Sequence, residues 1–154
     1  MSDFDREWEK KLQFWEAEID LFAKQLHDGG KIKPDTVDKH ASRMQFVTET
    51  YFMRYDIGYD EFDGGTVVDF LGNFYISKVL SGSKTELSAF LSSFKKWAQY
   101  LQQVGKISST QYSDILRVCK NKEFFYERFD SYMDTVDDDE DSMQDWFFAD
   151  DLDD

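Results

Sequence analysis

Phe4, Trp8, Leu12, Trp15, Ile19, Phe22 and Leu26 recur at spacings of four and three, placing them on one stripe of a long helix that Gly29-Gly30 ends. The stripe keeps a heptad-like register for about three repeats. The helix therefore either packs on its own domain or pairs with a second copy as a homodimeric coiled coil. Phe14 and Leu21 lie off the strict seam and widen the apolar face, which favours packing within the domain. After Lys31-Ile32-Lys33-Pro34 a second helix is predicted from Asp35 or Thr36, because proline suits a helix start and restricts the residue before it. Its apolar face is Val37, Ala41, Met44, Val47, Tyr51 and Tyr55, with Asp38, Lys39, Arg43 and Glu49 outside. Asp56 to Gly65 contains Gly58 and Gly64-Gly65, has no sustained period, and reads as a loop.

Two further helix starts carry capping-box spacing. Thr66-Val67-Val68-Asp69 has Asp in place of Glu, and Ser83-Lys84-Thr85-Glu86 matches the motif outright. In each, the hydroxyl can accept a first-turn N–H while the carboxylate favours the positive helix end. The first helix is predicted through Phe70, Leu71, Phe74, Tyr75 and Val79 to about Leu80. The second runs through Leu87, Phe90, Leu91, Phe94, Trp97, Ala98 and Leu101, with Gly105 suited to its end. A last helical region starts around Ser108 to Gln111 and carries Tyr112, Ile115, Leu116, Cys119, Phe125, Phe129 and Tyr132, with a break at Lys120-Asn121. With no strand pattern, the expected fold is all-α: a long N-terminal helix and linker over 1–34, a compact helical domain over 35–133, and a tail over 134–154.

Charge separates the tail from the body. The chain holds 18 basic and 32 acidic residues, a net charge of −14. Eleven of the acids, and no Lys or Arg, fall between Asp134 and Asp154, so the body up to Met133 is nearly neutral. Such a run is expected to be disordered in the free chain. Trp146, Phe147, Phe148 and Leu152 set it apart from plain solubilising sequence, since acids around bulky apolar residues suit docking into a basic-rimmed apolar groove. That groove is either on a partner protein or on the body itself, where the acids would cover its Lys/Arg face and compete with nucleic acid. A solubilising tail is the remaining reading.

Composition narrows the remaining classes. Aromatic residues at 18% supply a real core for one domain. No apolar run approaches a membrane span, and Met1-Ser2-Asp3-Phe4-Asp5-Arg6 is too polar for a secretion signal. Cys119 stands alone, so no internal disulfide forms and a reducing cytoplasm is the expected home. His27, His40 and Cys119 lack metal-ligand spacing. The run Asp137 to Asp141 lacks the glycine and the closing Glu of a calcium loop. Asp60, Glu61 and Asp63 read as a solvated loop, and no phosphate-cradling glycine motif is present. The expectation is a protein without catalytic residues, bound metal or cofactor.

One ordered pattern spans Thr36 to Ile107. A Thr-initiated helix leads to Phe46 and Tyr51, and an acidic, glycine-bearing loop precedes Val67-Val68-Asp69-Phe70-Leu71. A Ser/Thr-capped helix then carries Leu91-Ser92-Ser93-Phe94-Lys95-Lys96-Trp97 and ends Tyr100-Leu101-Gln102-Gln103-Val104-Gly105-Lys106-Ile107. This half of the chain resembles the N-terminal core-binding (SAM-like) domain of tyrosine-type site-specific recombinases, the phage integrases. The resemblance implies a module that clamps one face of duplex DNA while a separate domain cleaves the strand. Two departures mark this chain. The Asn-Pro that often follows the final glycine segment is replaced by Ser108-Ser109, and no His-x-x-Arg element of the cleaving domain follows Ile107. The resemblance thus implies a stand-alone accessory or regulatory module, with the tail gating DNA or recruiting a partner.

A DNA face needs phosphate-binding groups on one side of a helix. Lys84, Ser88, Ser92, Lys95, Gln99 and Gln103 follow helical spacing opposite the apolar stripe, and hydroxyls, amides and lysines suit that role. Lys39 and Arg43, one turn apart, add charge if the helices align as the resemblance implies, and Lys106 adds it at the helix end. The alternative is a protein–protein adaptor without DNA binding. A contiguous patch of Lys39, Arg43, Lys84 and Lys95 would favour DNA, and an exposed stripe along Trp8, Trp15 and Phe22 would favour the adaptor.

Overall fold

The apolar stripe of the first helix is divided between core and solvent. In the computed structural model, which describes residues 2–78 and 83–137, helix α1 spans Asp3–Gly29. Ser2 caps it through a reciprocal box with Asp5, and Gly30 ends it in the left-handed conformation at φ 67°. Trp15, Ile19 and Phe22 are buried, with Leu12 and Leu26 partly covered. Phe4 is 70% exposed and Trp8 38%, so the first two turns carry their aromatics into solvent. From Leu12 onward, α1 packs within the domain, chiefly against α2, Pro34–Val47.

Pro34 occupies the first turn of α2, one residue ahead of the predicted start. Val37, His40, Met44 and Val47 are buried as the period requires, but the period then breaks. Thr48–Phe52 forms a π-helical turn, whose extra residue rotates everything after it. Tyr51, Phe52 and Met53 all turn inward, and Tyr55, expected on the apolar face, is 53% exposed.

The segment read as a loop is partly ordered. Tyr59–Glu61 makes a 3₁₀ turn, and Phe62 behind it is fully buried. Helix α3, Gly64–Asp69, starts earlier than predicted, with Asp63 as its cap and Thr66 closing the box from the third position. Gly64 and Gly65 thus lie inside the first turn, not in a loop before it. A Cβ on Gly64 would lie 2.6 Å from Val118 Cγ2 and 2.7 Å from Asp114 Oδ2, so this turn can only touch the later helix as glycine. The Gly64 N–H donates to Asp114 Oδ2 at 2.7 Å and seals the contact. A second π-helical turn, Phe70–Phe74, follows, then helix α4, Tyr75–Lys78. Tyr51 of the first π turn packs on Phe70 and Phe74 of the second, both at 5.3 Å, and donates its hydroxyl to Asp69.

Helix α5, Lys84–Gln103, is the central strut, in contact with α1, α2 and both later helices. Ser83 caps it by accepting the Glu86 N–H, while the Glu86 carboxylate accepts from the Tyr75 hydroxyl at 2.5 Å, so half of the predicted box is used across elements. Leu87, Leu91, Phe94, Trp97, Ala98 and Leu101 are fully buried. Gly105 takes φ 79°, and the Lys106 N–H donates back to Leu101 O at 2.8 Å. Helix α6, Ser109–Cys119, carries the predicted box between Ser108 and Gln111. The Gln111 amide also donates to Tyr59 O and Phe62 O at 2.8 and 2.9 Å, tying the 3₁₀ segment to α6. The predicted break holds at Lys120-Asn121, and α7 runs Lys122–Asp137, continuing past the expected boundary at 133/134.

Every regular element among the described residues is helical, and the fold is a compact all-α one. Val79 and Leu80, assigned above to a helix, lie outside the described residues, as do Trp146, Phe147, Phe148 and Leu152. Gly→Ala inside a helix ordinarily stabilises. Here Gly64→Ala should destabilise by about 1–3 kcal/mol, because backbone and side-chain atoms of α6 must move. Urea denaturation checks this, and a variant as stable as the parent would contradict the close approach.

Candidate nucleic-acid interface

Because α5 buries most of its circumference, its solvent side is a narrow strip bounded by α2 on one edge and α7 on the other. Two adjacent depressions lie along it. The first, of about 590 Å³, is lined on α5 by Lys84, Ser88, Ser92 and Lys95, and on α7 by Lys122 and Tyr126. The second, of about 420 Å³, is largely apolar, with Phe46 and Phe90 at its base and Arg43 and Glu86 at its rim. Thr85 and Ala89 line both and form the ridge between them.

Four of the residues expected from helical spacing, Lys84, Ser88, Ser92 and Lys95, therefore share one groove. Arg43 lines the neighbouring depression. Lys39 is exposed one turn before Arg43, and Gln99 is exposed one turn beyond Lys95, and neither lines either of these two depressions. Lys106 is turned elsewhere, 3.8 Å from Glu18 of α1. Its position past the left-handed Gly105 swings it off the α5 strip. Lys122 and Tyr126 were missed by a reading confined to single helices. One signal points to Lys122: Ser83 to Lys122 holds seven basic residues and two acidic ones, a net +5 in a chain of net −14.

The groove is electrostatically open. Lys84 donates to Asp130 of α7 at 2.9 Å and sits 5.8 Å from the Tyr126 ring. Both partners of that ion pair are about half exposed, so it contributes little to stability. Among the described residues, no carboxylate lies within ion-pair distance of Lys95 or Lys122. Glu86 is the one carboxylate lining either depression among the described residues.

Beneath the strip a buried polar network fixes Arg43. Ser93, fully buried, accepts from Arg43 Nη1 at 3.1 Å and lies 2.7 Å from His40 Nδ1. With His40 neutral, the Ser93 hydroxyl donates to Nδ1 while accepting from the guanidinium, which satisfies the buried group. Burial first, then the charges of Arg43 and Lys96, hold the His40 pKa below its ordinary value. This pair resembles a serine–histidine dyad only in distance, because Ser93 has no exposure to a substrate. Cys119 is likewise wholly covered, its thiol pushed up to about 12 by burial. Among the described residues no cluster of three or more His, Cys, Asp or Glu could hold a metal. No helix among them is long and apolar enough to cross a membrane. Compared with protein families, curated proteins and solved structures, the chain gives no match.

The His40 network carries a pH signature. A histidine whose folded pKa lies below its unfolded value of about 6.5 favours the folded state fully above that pH. The contribution is lost as pH falls from about 6.5 toward the folded value. The melting midpoint of the parent should therefore drop between about pH 7 and 5 more steeply than that of His40→Gln. Parallel curves for the two proteins would contradict a buried neutral His40.

Proposed function

We propose that the chain is a non-catalytic nucleic-acid-binding module that lays the α5 strip along the phosphate backbone of duplex DNA. The observation that carries this is the convergence of Lys84, Lys95 and Lys122 from two helices on one groove, with the Ser88 and Ser92 hydroxyls between them. Lysines supply the counterion-releasing part of duplex affinity, and hydroxyls position the backbone. A rigid helix presents them, so little backbone ordering is left to binding, and the cost that remains is that of the lysine side chains. The resemblance to recombinase core-binding domains agrees with this use of a capped, Ser- and Lys-bearing helix, in an accessory or regulatory role.

Fluorescence anisotropy with a labelled duplex, read at about 50 and 200 mM salt, tests it. Binding should be salt-sensitive, and Lys95→Glu with Lys122→Glu should weaken it at least about tenfold and lower the salt slope by about 2. Lys106→Glu, at the far end of α5 beside Glu18, should change it much less. The reading fails if no duplex binds at low salt, either to the parent or to a chain whose Asp138 to Asp141 carboxylates are amides.

An adaptor function is the second reading, supported by the exposed Phe4 and Trp8 rings stacked at 6.1 Å on the first turns of α1. Trp15 and Phe22 are buried, so that exposed face is short. It draws no support from the groove.

A further inference from the structure

We propose that the groove has an intramolecular occupant: residues 138–154 of the same chain lie across the two depressions of the α5 face. As regulation of the site this rests on the nucleic-acid reading, whereas the placement itself is tested separately.

Three observations converge. The first is where the segment starts. Helix α7 runs antiparallel to α5, with Lys122 facing the Lys95 end and Asp130 paired to Lys84 at the other. Its last residue, Asp137, is seven residues beyond Asp130, roughly 10 Å along the helix. The chain therefore leaves α7 about 10 Å beyond the Lys84 end of the groove, within reach of a few extended residues. The Lys84 to Lys95 span is only about 16 Å, and the 17 residues that follow can extend up to about 60 Å.

The second is charge. Residues 138–154 hold nine carboxylates and no basic side chain. The first depression presents Lys84, Lys95 and Lys122 without a lining carboxylate. Asp138, Asp139, Glu140 and Asp141 come first out of α7 and reach the Lys84 end of this depression first.

The third is the order of chemistries. Trp146, Phe147 and Phe148 follow the acidic run by five residues, a reach of at most about 17 Å. That is enough to cross the Thr85–Ala89 ridge into the apolar depression over Phe46 and Phe90. There Phe46 is 36% exposed, and burying it against an aromatic triplet removes apolar surface on both sides. Asp145, Asp150 and Asp151 flank the triplet and would face Arg43 at the rim, clear of Glu86. Acid-then-aromatic in sequence thus matches basic-then-apolar in space. Tethering adds an effective concentration in the millimolar range, which favours this occupant over an untethered partner. A segment so placed competes with duplex for the same lysines.

A spin label on Ser142→Cys locates the segment in the full chain, since the buried Cys119 does not compete for the label. At low salt, amide signals of Ser88, Ala89, Ser92, Lys95 and Lys122 should lose intensity selectively. They should recover in Lys84→Glu/Lys95→Glu/Lys122→Glu and, independently, at high salt. Loss confined to the last turn of α7, or spread without preference, overturns the placement. So does loss that arises only when labelled chain is mixed with isotope-enriched unlabelled chain, which would assign the groove to a second copy. Converting Asp138, Asp139 and Asp141 to Asn and Glu140 to Gln should tighten duplex binding about tenfold. Selective loss at the groove with no duplex binding by any variant supports the placement and overturns the nucleic-acid reading. Duplex binding without selective loss does the reverse.

Discussion

The fully buried indole of Trp97, midway along α5, is where the N-terminal half of the fold meets its strut. Trp15 of α1, Phe52 of the first π turn, Tyr59 of the 3₁₀ segment and Phe62 all have ring centroids within 5.1–6.4 Å of it. Edge-on and tilted aromatic pairs each add about 0.5–1.5 kcal/mol beyond the area they bury. Helix α1, the adjoining π turn and 3₁₀ segment, and α5 thus share one contact, and none can shift without disturbing the others. This explains how α1, whose first two turns touch little, is held firmly from Trp15 onward. It also explains why the segment around Phe62, rich in glycine and acid, is not a free loop.

Because that cluster claims one side of α5 and α6 and α7 claim another, only a strip of small and basic residues remains to solvent. Ser88, Ala89 and Ser92 keep the strip low, and the lysines and Arg43 stand along its edges. The core therefore sets the site's shape: a ligand meets a rigid helix face with fixed spacing between the points from which the charged side chains extend. The Ser93 hydroxyl links the two levels, since it is buried in the helix packing and holds Arg43 at the surface. A chain of net −14 can carry a basic groove because its acids are concentrated elsewhere along the sequence, not because they are absent.

Features set by near neighbours in sequence were legible. Ser83 and Ser108 cap their helices as read, Gly30 and Gly105 end theirs, and the period of α5 named its buried face. What escaped depends on contacts between distant segments. The π turns at Thr48 and Phe70 break the 3.6-residue period, so extrapolation placed Tyr55 inward when it points out. Thr66 and Asp69 satisfy a capping motif, yet Asp63 competes better because Gly64 must abut Asp114 and Val118. Of the nine residues proposed for a DNA face, the four that share the groove lie on one helix face. Gln99 and Gln103 lie farther along α5 than the groove extends, and Lys39 and Lys106 fell outside it because their placement depended on how helices pack or turn. Lys122 and Tyr126 complete the groove from a helix 27 residues away from Lys95, a juxtaposition that no local pattern encodes.

The most direct measurement is an amide chemical-shift map of the full chain titrated with a short duplex at low salt. The account predicts shifts concentrated at Ser88, Ser92, Lys95, Lys122 and Tyr126, with Arg43 at the margin and α1 silent. Shifts centred on Phe4 and Trp8, or none anywhere on the α5 strip, would contradict it.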